Sequence, residues 1–130
     1  MLELTMAAVS GTDEGATAGM LMAEAPSDPG AVLRVGRDGA VCRLVTPEDW
    51  LFVSRVHLVF LCGPDGAWEV AWRRGSQPEP ASEVRLTSGP HTRPLEYGGA
   101  VPLPAGGAGE IVIRDRTSPR SVSVGFYHEE

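Results

Sequence analysis

Two short segments hold the residues whose types and spacing could do chemistry: Gly36–Arg37, and Ser54–His57, which reads Ser-Arg-Val-His. The first closes an apolar run and the second opens another, and both runs are rich in Val, Leu and Phe. Such runs predict strands, with the arginine and the serine displayed in the loops beside them. A guanidinium and a hydroxyl that converge at loop ends can hold a phosphate or a carboxylate.

Nucleophilic catalysis is the alternative use of a serine and a histidine at this spacing. In a strand, residues three apart point to opposite faces, so the side chains of Ser54 and His57 should not meet. The chain contains no Gly-x-Ser-x-Gly and no Gly-x-x-x-x-Gly-Lys sequence. The histidines and cysteines are isolated from one another in the sequence (His57, His91, His128, Cys42 and Cys62). We therefore expect no enzyme, no metal site and no cofactor.

The bulk composition is that of one globular domain. The chain has 130 residues, of which 42% are hydrophobic and 22% charged, and its 16 Gly and 11 Pro favour many turns and little helix. No apolar run approaches the roughly 18 residues of a transmembrane helix, and no basic segment precedes an apolar one at the N-terminus. The expected location is cytoplasmic.

The net charge of -6 is concentrated at the N-terminus. Five of the 17 acids and none of the 11 bases lie in residues 1–30, so the remaining 12 acids nearly balance the bases. A near-neutral body argues against a general nucleic-acid binder. Every base is Arg, and Lys and Asn are both absent, which is typical of a high-GC genome. The abundance of Arg is therefore no evidence of function by itself.

Cys42 and Cys62 are too few and too far apart for a structural zinc site. A hairpin that folds at Glu48 to Trp50 would bring the two cysteines near each other. In a cytoplasmic protein, two buried thiols are favoured over a disulfide.

Turn sequences recur at a regular spacing from Ala31 onward and divide the chain into short strands. Candidate strands are Met1 to Val9, Met20 to Met22, Val32 to Val35, Val41 to Val45, His57 to Leu61, Trp68 to Trp72, Val84 to Leu86, Arg93 to Tyr97, Val101 to Leu103, Ile111 to Ile113 and Ser121 to Tyr127. This spacing predicts an all-β sandwich or barrel. Residues 1–30 are predicted to be an N-terminal strand with a flexible acidic loop or tail, and residues 31–130 the sandwich domain. The alternative is that residues 1–30 are entirely a mobile tail.

The order of these elements resembles the forkhead-associated (FHA) domain, a SMAD/FHA β-sandwich of about eleven short strands that binds phosphothreonine peptides. The family pattern is Gly-Arg after one strand, Ser-x-x-His at the start of a later strand, and then Asn-Gly. Gly36–Arg37 and Ser54–His57 match the first two parts. The strand Trp68 to Trp72, Gly75–Ser76 and the segment Gly106 to Ile113 also stand where the family would place them. The resemblance covers roughly residues 31–115, or the whole chain if Met1 to Val9 supplies the first strand, and it implies a divergent bacterial member.

The resemblance assigns a role to each matching residue. Arg37 is similar to the arginine that clamps the phosphate, and Ser54 to the hydroxyl that donates to the same phosphate. His57 is similar to the histidine that braces the binding loops, and Gly36 to the glycine needed for a tight backbone there. Neither Gly36 nor His57 should touch the ligand.

The flanking peptide would be read by Arg55 and by the loop from Arg73 to Gln77. The implied phosphopeptide-binding residues are therefore Arg37, Ser54, Arg55, Arg74, Ser76 and Gln77. Arg73 and Arg74 are equally compatible with a positive rim for an acidic peptide and with a strand end in solvent.

One position departs from the family pattern. The Asn that holds the peptide main chain would follow Gly75–Ser76, but the chain contains no Asn, and Gln77 is its only side-chain amide. Pro78 and Glu79 stand where Asn-Gly is expected, and Glu79 would repel a phosphate if it faced the pocket. Peptide binding should be weakened or rearranged.

Arg37 and Ser54 could each have an ordinary structural role instead. Arg37 could be a solvated turn arginine paired with Asp38 or Glu48, and Ser54 a hydroxyl that closes a local turn. The whole domain could also be a phosphate-independent interaction or scaffold module with a degenerate pocket. The sequence predicts recognition of phosphothreonine peptides, without catalysis, in Ser/Thr kinase signalling. Its expected partner is a phosphorylated protein, a kinase or a kinase substrate, and neither nucleic acid nor membrane.

Overall fold

A computed structural model describes residues 1–10, 17–75, 78–104 and 106–128, and these residues form eleven strands and no helix. The strands are β1 (Leu2–Ser10), β2 (Thr17–Ala25), β3 (Val32–Gly36), β4 (Leu44–Val45), β5 (Leu58–Cys62), β6 (Trp68–Trp72), β7 (Ser82–Ser88), β8 (His91–Leu95), β9 (Ala100–Pro102), β10 (Ala108–Asp115) and β11 (Arg120–His128). The prediction of an all-β sandwich of about eleven short strands is confirmed.

The strands form two sheets that enclose one hydrophobic core. The larger sheet has the order β2-β1-β11-β10-β7-β8, and the smaller has the order β4-β3-β5-β6-β9. Period-two alternation explains the packing, because the apolar residues at every second position of a strand all point to one face. In β1, for example, Leu2, Leu4 and Met6 are buried. Trp68 and Phe60, from the smaller sheet, are the largest fully buried side chains.

The N-terminal strands are part of the larger sheet. The predicted first strand is present as β1, which pairs along its whole length with β11, and the apolar patch at Met20 to Met22 lies within β2. Most of the predicted loop between these strands lies outside the described residues. The division of the chain at residue 30 stays a prediction, although both sides of that boundary contribute strands to the sandwich.

The smaller sheet does not contain the hairpin at Glu48 to Trp50 that would have brought the two cysteines near each other. β4 pairs with β3 in parallel, and β5 pairs with β3 on its other side, so β4 and β5 are not neighbours. Cys42 and Cys62 are both free and buried, as predicted. The thiol of Cys42 donates to the carbonyl of Arg55 (3.3 Å), and burial raises the pKa of both thiols.

No helix that could span a membrane is found in the described part of the chain.

Candidate functional site

Three chain segments lie side by side at one end of the smaller sheet. Gly36–Arg37 closes β3, Ser54–His57 precedes β5, and residues 73–75 follow β6. The backbone ladder continues into them, because the His57 amide donates to the Val35 carbonyl (2.8 Å) and the Arg73 amide donates to the His57 carbonyl (3.0 Å). The sheet therefore extends as a platform that holds the three segments at fixed spacing.

Gly36 permits a very close approach between the first two segments. A Cβ atom at this position would lie 2.2 Å from the Arg55 carbonyl oxygen and 2.9 Å from that of Ser54. Two backbone hydrogen bonds seal the contact, from the Arg37 amide to Ser54 (3.2 Å) and from the Asp38 amide to Arg55 (3.0 Å). Since no other residue lacks a Cβ, this contact requires glycine for its lack of bulk.

The guanidinium of Arg37 is oriented by main-chain carbonyls. Its Nε donates to the carbonyl of Val53, and its Nη1 donates to the carbonyl of Glu48 (3.4 Å). Two of its five donors are used in this way, and within the described residues no other side-chain hydrogen bond of this guanidinium is found. Among the described residues, Arg37 forms no ion pair with Asp38 or Glu48. The arrangement therefore differs from a turn arginine paired with a neighbouring carboxylate.

His57 is a buried brace beneath these loops. The Ser54 amide donates to His57 Nδ1 (2.9 Å), and His57 Nε2 lies 3.3 Å from the Ser82 hydroxyl. Because Nδ1 accepts, the ring is neutral with its proton on Nε2, which donates to Ser82. Burial lowers the pKa of His57 to about 4. Protonation would place a second N–H against the Ser54 amide.

The backbone around Ser54–His57 differs from the sequence expectation. The segment is a loop and not the first part of a strand, since β5 begins at Leu58. The contact between the two residues runs from the backbone amide of Ser54 to the imidazole of His57, and the expectation concerned only their side chains. The contact holds the loop and leaves the Ser54 side chain, which is half-buried, in the wall of the adjoining pocket.

Stacked rings line the other side of the site. The ring of His57 stacks on that of Trp72 (centroids 5.5 Å apart), and Trp72 meets Tyr97 edge-on (5.2 Å). The Tyr97 hydroxyl accepts a hydrogen bond from the Gly75 amide (2.8 Å), and the guanidinium of Arg74 lies 5.4 Å from the Tyr97 ring centroid. This stack attaches the segment after β6 to the turn after β8.

An open pocket of about 680 Å³ lies between these walls. Four of the predicted phosphopeptide-binding residues line it together: Arg37, Ser54, Arg55 and Arg74. The other two, Ser76 and Gln77, lie outside the described residues. Glu79 is exposed and is not among the pocket-lining residues.

Several pocket residues were not predicted from the sequence. Leu51, Tyr97 and Ser82 were given no role, although all three line the pocket, and so does Arg73, which begins the loop predicted to read the flanking peptide. The Tyr-Gly-Gly turn was a visible signal for Tyr97, because its glycines let the turn approach β6 closely. Nothing in the sequence connects Ser82 with His57, which lies 25 residues earlier.

Arg120, which lies outside the pocket, also contacts the loop that carries Ser54. The guanidinium of Arg120 lies 5.4 Å from the ring centroid of Trp50 and 5.7 Å from that of Phe52. Its position is set by an ion pair with Asp115 (3.5 Å) and a hydrogen bond from its Nε to the Ser118 hydroxyl (3.1 Å). The turn between β10 and β11 therefore clamps the loop before β5.

Replacing Arg120 with alanine should loosen that loop without unfolding the sandwich. A cation–π contact is worth about 0.5–2 kcal/mol, so we expect a loss of stability of about 1–2 kcal/mol. Amide hydrogen exchange at Val53, whose N–H donates to the Trp50 carbonyl (3.0 Å), should become faster. Arg116→Ala removes an exposed arginine from the same turn and serves as the control. Equal exchange rates in both variants would contradict the clamp.

Comparison with solved structures shows that the chain has the fold of FHA domains. This confirms the fold that the sequence resemblance implied. An engineered FHA domain with a Myc-pTBD peptide matches at a TM-score of 0.63 and 17% identity, over 98% of this chain and 91% of that chain. The N-terminal FHA domain of Rad53p from S. cerevisiae, in complex with a phosphothreonine peptide, matches at 0.61 and 15% identity, over 95% and 93% of the two chains. No protein-family model and no curated protein sequence matches the chain.

Proposed function

We propose that this chain binds phosphothreonine peptides in the pocket between Arg37 and Arg74 and performs no catalysis. The observation that carries the proposal is the guanidinium of Arg37, which main-chain carbonyls hold beside Ser54 at the rim of an open pocket. An arginine already held in place loses little conformational entropy when it binds an anion. The FHA fold supports the same conclusion, because the Rad53p domain of this fold is in complex with a phosphothreonine peptide.

Each part of the site has a role in this proposal. Arg37 donates charge-assisted hydrogen bonds to phosphate oxygens, and the Ser54 hydroxyl donates another. Arg55, Arg74, Ser76 and Gln77 contact the flanking peptide. Gly36 and His57 hold the loops and do not contact the ligand. The partner is a phosphorylated protein in cytoplasmic Ser/Thr kinase signalling, a kinase or a kinase substrate.

Loss of the Arg37 side chain should weaken phosphopeptide binding at least about tenfold, because a hydrogen bond to a charged group contributes about 1.5–3 kcal/mol. Titration calorimetry of Arg37→Ala against a phosphothreonine peptide pool and its unphosphorylated counterpart measures this change. Arg43→Ala removes an exposed arginine outside the pocket and should bind like the unmodified protein. Ser54→Ala should also bind more weakly.

Equal binding of the phosphorylated and unphosphorylated pools by a folded protein would refute the proposal. It would favour the phosphate-independent scaffold, which the absence of Asn from the sequence motivates. Circular dichroism of each variant separates a lost contact from a lost fold.

A further inference from the structure

The pocket concentrates positive charge in an acidic protein. Four arginines line it, namely Arg37, Arg55, Arg73 and Arg74. Among the residues that the structure describes, no Asp or Glu lines the pocket, whereas the whole chain has a net charge of -6. The charge is therefore a local property of this site.

One phosphate does not balance this charge. A phosphothreonine carries about -1.5 to -2 at neutral pH, and four guanidinium groups carry four positive charges. The only ion pair in the described part of the chain joins Arg120 to Asp115, so no carboxylate there lies within ion-pair distance of Arg55 or Arg73. A ligand with a single phosphate would leave about two positive charges in the pocket uncompensated.

Three of the four arginines form two groups on opposite sides of the Ser54–His57 segment, and Arg55 lies in that segment. Arg37 follows β3 on one side, and Arg73 and Arg74 follow β6 on the other. Two strand spacings, of about 4.8 Å each, therefore separate the backbones of the two groups by about 10 Å. An extended peptide advances about 3.3 Å per residue, so three residues span this separation.

Arg74 is held in place independently of Arg37. Its guanidinium lies over the Tyr97 ring, whose hydroxyl accepts the Gly75 amide, and its Cβ is 3.5 Å from where a Cβ of Gly98 would lie. The turn after β8 thus supports Arg74 from below. A side chain fixed in this way is a second preorganised anion donor.

We propose that the ligand carries a second anionic group, a phosphate or a carboxylate, within three residues of its phosphothreonine, and that Arg73 and Arg74 hold this group. The inference rests on the proposed function, since it names the class of phosphopeptide that the same pocket takes. Arg37 and Ser54 hold the first phosphate, and the second group neutralises the other side of the pocket.

Fluorescence anisotropy with four matched peptide sets tests the proposal at about 0.15 M salt, where long-range attraction is screened. One set has phosphothreonine with neutral flanks, and two others add either a second phosphothreonine or a glutamate at each position up to three residues away. The fourth has glutamate and no phosphate. A second anion at the right position should tighten binding about tenfold, and the better of the two groups identifies the source.

The double variant Arg73→Ala, Arg74→Ala should abolish this preference, so that neutral-flanked and dianionic phosphopeptides bind it with equal affinity. The control Arg85→Ala, Arg93→Ala removes the same charge from exposed positions on β7 and β8, outside the pocket, and should keep the preference. A neutral-flanked phosphopeptide that binds as tightly as the dianionic ones overturns the second-anion proposal alone. Failure of every phosphorylated peptide overturns the proposed function with it. Loss of the preference in the control would assign it to general electrostatics and would also overturn the proposal.

Discussion

Gly36→Ala should lower the free energy of unfolding by about 3 kcal/mol, because overpacking costs about 1–3 kcal/mol and the loops lose hydrogen bonds as well. The added methyl group would lie 2.2 Å from the Arg55 carbonyl oxygen, an atom of the backbone that cannot rotate away. The two segments must then separate, which breaks the bonds from Arg37 to Ser54 and from Asp38 to Arg55. The midpoint of thermal unfolding should fall by roughly 10 °C. Phosphopeptide binding should be lost because the loops no longer keep their geometry.

Gly39→Ala is the matched control for this experiment. Gly39 lies in the same connection between β3 and β4, and the nearest atoms to its added Cβ would be the Val45 methyl groups at 3.9 Å, an ordinary contact. Its stability should therefore change by less than about 0.5 kcal/mol. If the two alanine variants unfolded at the same temperature, the close approach at Gly36 could not be the feature that constrains this loop.

The stability of the protein should fall by about 3 kcal/mol as the pH is lowered from 6.5 to 4, through the titration of His57. Burial lowers the pKa of this imidazole to about 4 in the folded chain, whereas an exposed histidine titrates near 6.5. In this interval the unfolded chain binds a proton that the folded chain does not, so acid favours unfolding. The contribution is fully present above pH 6.5 and is lost progressively down to pH 4. Denaturant unfolding at several pH values measures it.

His57→Asn separates this titration from the packing of the ring. The amide oxygen of asparagine can accept the Ser54 amide in place of Nδ1 but does not titrate, so the variant should be less stable at pH 7 and lack the slope between pH 6.5 and 4. Asp115 also makes stability depend on pH, but at lower pH than His57. Burial raises the pKa of its carboxyl, but hydrogen bonds from Ser118 and Thr117 and the charge of Arg120 lower it below 3.8 overall. Its stabilisation is lost only under more acid conditions, and a slope that persists in His57→Asn would exclude His57 as its source.

The sequence predicts most of the sandwich because each strand is a short apolar alternation between recognisable turns. Even Arg93 to Tyr97, a weak candidate that contains Pro94, overlaps β8, an edge strand where a missing amide costs little. The pairing of β4 could not be predicted, since a strand of two residues carries no pattern that selects a partner.

The arginines on both sides of the pocket were predicted, but the tyrosine that supports one side was missed. Arg37 and Ser54 stand in recognisable dipeptides at strand ends, so their convergence follows from the order of the strands. Tyr97 reaches the Gly75 amide across 22 residues of sequence, and this contact exists only because the turn after β8 folds back beside β6. Contacts of this kind arise from the path of the whole chain, and local patterns do not contain them.

The carbonyls that orient Arg37 have a consequence for how such a site changes over evolutionary time. Both acceptors belong to the backbone, so the side chains of Glu48 and Val53 can be exchanged without altering the atoms that aim the guanidinium. The orientation of the guanidinium is therefore determined by the path of the backbone and not by the identity of the neighbouring side chains. Two proteins can therefore orient this arginine in the same way although every neighbouring residue differs between them. An alignment of their sequences at those positions would show no similarity.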